Sequence, residues 1–91
     1  MPFVIREAFL TDKIQHWVRE LAMLRHKERN LRNDLRQLPE DDETIPEKQR
    51  EVRITAREKL IAECNVAKWQ AKLAKLRLKE RERLGALEDD A

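Results

Sequence analysis

The sequence predicts an all-α fold: an antiparallel two-helix hairpin of coiled-coil type, expected to dimerise into a four-helix bundle. Three observations predict it. Of 91 residues, 42% are charged and 41% hydrophobic, with one Gly, three Pro and no Tyr, a composition that belongs to long helices. Apolar residues recur at heptad spacing in two blocks. One proline-bounded acidic loop divides those blocks. A chain of this length forms one domain, 1–91, near the lower end of the size at which a single core suffices.

The first block predicts a helix over about 3–38. Phe3, Leu10, Trp17, Leu24, Leu31 and Leu38 fall seven apart, and Ile14, Leu21, Glu28 and Leu35 form the companion series. Apart from Glu28, and Glu7 further out, that seam is apolar. Ile14, Trp17, Leu21, Leu24, Leu31 and Leu35 are therefore the expected core of this helix. No Gly or Pro interrupts it. Pro39 biases Leu38 away from helical backbone and ends the block.

The loop, 39–45, is "PEDDETI", with four consecutive acids from Glu40 to Glu43. Thr44 and Glu47 have capping-box spacing, and Pro46 sits in a first helical turn, where its missing N–H does no harm. The second helix is expected over about 45–87, followed by a short acidic tail, 88–91. Its seam is Val52, Thr55, Lys59, Ala62, Val66, Trp69, Leu73 and Leu76, with Leu87 further on; Val66, Trp69, Leu73 and Leu76 are the expected core. Pairing Leu38 with Ile45 across the turn sets Leu24 near Lys59 and brings the indoles of Trp17 and Trp69 into one layer.

The second helix carries a further stripe. Leu60, Cys64, Ala67, Ala71, Ala74 and Leu78 follow at steps of four and three, rotated by about 100–150° from the seam at about 100° per residue. Alanine is a strong helix former and tolerates exposure, which accounts for Ala71 or Ala74 alone. It does not account for Leu60, Cys64 and Leu78 in the same register. A helix apolar over more than half its circumference is packed on two sides, and a second copy of the chain is the simplest cover. The apolar surplus is local: residues 3–24 and 60–87 make a broad base, and the loop end is a slim charged tip. Val4, Ile5 and Phe9, off the seam of the first helix, are a candidate docking patch for another protein.

Several function classes find no support. A mean hydropathy of −0.83 also suits a disordered chain, but the net charge is only +2 and the apolar residues are periodic. His16 and His26 are ten apart, Cys64 is the single cysteine, and Gly85 the single glycine. No zinc spacing, phosphate loop or paired acid–base set results, so no catalytic, cofactor-binding or metal-binding residue is assigned and no enzyme is expected. The lone cysteine excludes an internal disulfide and suits a reducing compartment. No apolar run reaches membrane-spanning length, and the opening "MPFVIREAFL" lacks the basic segment of a cleaved signal. The expectation is a soluble, cytoplasmic, homodimeric regulator or adaptor that binds a protein partner, without cofactors and without a membrane.

Nucleic acid is the alternative partner. "KWQAKLAKLRLKERER", Lys68 to Arg83, holds seven basic residues against two acids, and a second cluster is Arg25, Lys27, Arg29, Arg32 and Arg36. Basic rows on rigid helices follow phosphates, so Arg25, Lys27, Arg29, Arg32, Lys68, Lys72, Lys75 and Lys79 are the candidate contacts. Glu80 and Glu82 interrupt the run, and the ordinary reading of such a face is a solvated one with ion pairs one turn apart.

Overall fold

A computed structural model of the protein describes residues 2–90, with side chains through residue 87. Two helices, α1 (Phe3–Gln37) and α2 (Ile45–Asp90), form a hairpin. They run antiparallel: Glu7 near the start of α1 meets Arg77, and Glu28 further along meets Lys59. α1 stops where Pro39 dictates, with Leu38 extended at φ −80° and ψ 143°. The start of α2 differs from the expected capping box. The backbone N–H of Thr44 donates to Asp42 Oδ1 at 2.8 Å, and the Thr44 hydroxyl donates to the same oxygen. This is an Asx-type turn, in which a short carboxylate satisfies backbone two residues on. α2 continues helically to Asp90, so the expected tail is helical over 88–90.

The seam follows the heptads. Leu21, Val52, Ala62, Leu73 and Leu76 are buried, while Ile14, Trp17, Leu24, Leu31, Leu35, Val66 and Trp69 are half-buried. Two helices cover one another along a single line, so most seam side chains keep one flank open. The consequence is visible in the dimensions. The molecule measures 76 × 16 × 16 Å, with a radius of gyration of 21.1 Å, against about 12 Å for a compact domain of this length. Its accessible surface is 7398 Å², where a compact chain of this mass exposes about 5,600 Å².

Lys59 reaches along the seam to Glu28, and Glu7 opposite Arg77 keeps close to the register expected from the loop. Two expectations about the seam are corrected. Leu87 is 55% exposed because it lies beyond the first turn of α1 and has nothing to pack on. The two indoles pair with other rings rather than with each other: Trp69 meets Phe9 edge-on at 6.2 Å, and Trp17 meets His16 at 5.1 Å.

Within the seam, Lys59 Nζ lies 3.3 Å from Glu28 Oε2, and Arg32 Nε lies 3.2 Å from Oε1. Burial pushes the Glu28 carboxyl up. Hydrogen bonds from Lys59 and Arg32, together with their charges, outweigh it and hold the pKa below its ordinary 4.5. One helical layer away, Thr55 is only 1% exposed, and its hydroxyl has no hydrogen-bond partner.

Candidate functional site

The base of the hairpin carries two features on different flanks of α2. The first is the second stripe. In heptad geometry its positions lie about 150° from the seam, which is the face turned away from α1. Leu60 is 59% and Leu78 50% exposed, and Cys64, Ala67, Ala71 and Ala74 are exposed as well. From Leu60 to Leu78 the strip runs for about 27 Å along the helix axis. Ile61, also exposed, widens it at one end; the sequence reading passed over it because it lies in neither heptad series. Arg57 and Arg81 bound the strip.

The second feature is a groove between the helices, and it is where the basic residues separate into two kinds. In the cluster on α1, Arg25 pairs with Glu63 at 3.8 Å and Arg32 with Glu28 at 3.2 Å. Their charges are partly answered. Lys27 and Arg29 are exposed on the same helix without joining the α2 row. The five ion pairs of the described residues draw on Arg25, Arg32, Lys59, Arg77 and Arg83; none uses Lys68, Lys72, Lys75 or Lys79.

Two of those lysines, Lys68 and Lys72, gather with Lys13 around aromatic rings. Lys72 Nζ lies 4.6 Å from the Trp69 ring centroid, Lys68 Nζ 5.2 Å and Lys13 Nζ 6.0 Å, with Lys13 also 5.4 Å from Phe9. The ring quadrupole attracts a cation to its face, which lets like charges crowd there without carboxylates. Phe9, Leu10, Trp69 and Leu76 floor a hollow of about 520 Å³, and Arg6, Lys72, Lys75 and Lys79 rim it. No acid lines it. A second hollow of about 530 Å³ shares Arg6, Leu76 and Lys79 and reaches Glu80 and Arg83. Glu80 is held by Arg83 at 2.6 Å, and that hydrogen bond keeps its pKa low.

Trp69 is half-buried on the seam, like Trp17 and Val66, and it also carries cations around its ring. The signal was present in the sequence: Arg6 and Lys13 flank the α1 seam seven apart, Lys72 and Lys79 flank the α2 seam seven apart, and antiparallel pairing puts both pairs on one side. Val4 and Ile5 are exposed, as is Phe9.

No family model matches the chain, and comparisons with curated proteins and with solved structures give no match. Chemistry must therefore be read from the geometry alone. Among the described residues, no three His, Cys, Asp or Glu side chains converge on a point that would hold a metal ion. No described helix is long and apolar enough to cross a membrane. Cys64 is a free thiol on the outer strip, among alanines and leucines.

Proposed function

We propose that the protein is a non-enzymatic protein–protein interaction module, a helical hairpin that homodimerises through the outer face of α2 into a four-helix bundle and presents its base to a protein partner. The observation that carries this reading is the uninterrupted apolar strip from Leu60 to Leu78, which the chain's own first helix cannot cover. Its alanines allow close helix approach, and its leucines at either end supply apolar area.

Area points the same way. The hairpin exposes about 1,800 Å² more than a compact chain of its mass, and a standard interface removes about 800 Å² from each partner. A two-fold pairing of α2 faces uses one self-complementary patch and closes without leaving a copy unpaired. Val4 and Ile5, outside both the seam and the strip, are the surface offered to a second protein, in the manner of an adaptor or inhibitor. The single free thiol suits the reducing cytoplasm.

Sedimentation equilibrium tests the assembly. The expected mass is twice the 10.9 kDa of the chain, and Ala67→Glu with Ala71→Glu should return it to that of one chain without loss of helix. A parent that stays monomeric at about 100 µM, the weak end of specific association, would refute the reading. A glutamate variant that remains dimeric would refute the assigned face.

A further inference from the structure

The basic groove is not absorbed by that reading. We propose that the groove from Trp69 to Arg83 is a binding site for single-stranded nucleic acid, with bases stacked on Phe9 and Trp69 and phosphates held by Arg6, Lys72, Lys75 and Lys79. It lies on the flank of α2 facing α1, beside the outer strip, so it does not depend on dimerisation.

Length, floor and rim each narrow the ligand. The two hollows share Arg6, Leu76 and Lys79 and run from Trp69 to Arg83, about 21 Å along the helix. That is a track for a chain rather than a cavity for a small anion. The floor carries two aromatic rings in edge contact, and every base has a π-face to stack on such a platform, whatever its sequence. The rim is a lysine row at steps of three and four residues, one cation per helical turn. Lysine is a compact point charge that asks only for proximity. Such a rim meets phosphate and carboxylate alike, and it is the two aromatic rings of the floor, for which an acidic peptide brings no base to stack, that favour a nucleic-acid strand.

A membrane surface is disfavoured by shape. Leu76 is buried and Leu10 and Trp69 half-buried, so that part of the floor is recessed beneath the lysines, with Phe9, 53% exposed, at its open edge. A bilayer reaches outermost side chains, whereas an unstacked base enters a recess. A duplex keeps its bases paired and would use the rim alone. No carboxylate lines the first hollow, and Glu80 in the second is answered by Arg83, so the remaining cations add to a focused positive potential.

Fluorescence anisotropy of a labelled single strand of about 15 nucleotides tests the site on the full chain. Binding is expected with a dissociation constant no weaker than about 10⁻⁴ M at low salt, and a strand engaging four cations should give a log–log salt slope of about −2.8. Affinity should then fall roughly fifty-fold between about 50 and 200 mM salt. Lys72→Gln with Lys79→Gln should flatten the slope by about 1.4, two phosphates' worth. Trp69→Leu should weaken binding about tenfold and leave the slope unchanged. Should that variant lose helix by circular dichroism, quenching of Trp69 emission in Trp17→Phe gives the same information. Absence of binding at about 50 mM salt, equal affinity for a duplex of the same sequence, preference for phosphatidylserine vesicles, or an unaltered slope in the lysine variant would each overturn the proposal. None of these outcomes bears on whether the outer strip dimerises.

Discussion

Replacing the seam ion pair by leucine, Glu28→Leu with Lys59→Leu, should stabilise the hairpin, although each single change should destabilise it. The two charges lie 3.3 Å apart, an attraction of about 5 kcal/mol at an effective dielectric constant near 20. Their side chains are only 13% and 27% exposed, and loss of hydration costs several kcal/mol per ion, so the net is close to zero. Two leucines in that layer join an apolar seam and should contribute about 1–2 kcal/mol. Glu28→Leu alone leaves Lys59 facing leucines, at a cost of about 1–2 kcal/mol, and Lys59→Leu alone leaves Glu28 with Arg32, at about 1 kcal/mol. The coupling energy is then about 3–5 kcal/mol. Urea unfolding followed by far-ultraviolet circular dichroism, at one protein concentration for all four chains, measures it. The pH dependence adds a second readout. The folded pKa of Glu28 is lowered, so its contribution is fully present above its ordinary 4.5 and is lost as pH falls through the lowered folded value. The parent should lose that contribution in acid and the double variant should not. Single and double effects that simply add, within about 0.5 kcal/mol, would refute the reasoning.

Two further changes probe the same seam. Thr55→Val keeps the shape and removes a hydroxyl that is buried without a partner, so it should stabilise by about 1 kcal/mol in the same urea assay; a destabilised variant would mean that the hydroxyl is satisfied in solution. Ala62 is fully buried between the helices, and Ala62→Leu should overpack that layer and destabilise by about 1–3 kcal/mol. A neutral result there would show that the helices separate easily at this point.

The fold was legible because its signals are local and periodic. Trp17, Leu21 and Leu24 on α1, with Val66, Leu73 and Leu76 on α2, lie on the seam because 3.5-residue spacing leaves them no other common side. Pro39 ends α1 by steric restriction of one neighbour, Leu38. The outer strip was legible for the same reason: heptad arithmetic rotates Cys64, Ala67, Ala71 and Ala74 away from the seam without reference to any other element.

What needed the tertiary structure depends on how one helix sits against the other. Loop length alone suggested Leu24 beside Lys59, and only the packing of the two helices shows that Lys59 reaches Glu28. That interhelical placement leaves Leu87 without a neighbour. It also brings Trp69 to Phe9 and sets Arg6 and Lys13 beside Lys72 and Lys79. Periodicity along each helix determined which faces are apolar in this protein. The groove exists only between the helices, because its rim is supplied by Arg6 and by lysines 66 to 73 positions further on, whose proximity is fixed by antiparallel packing.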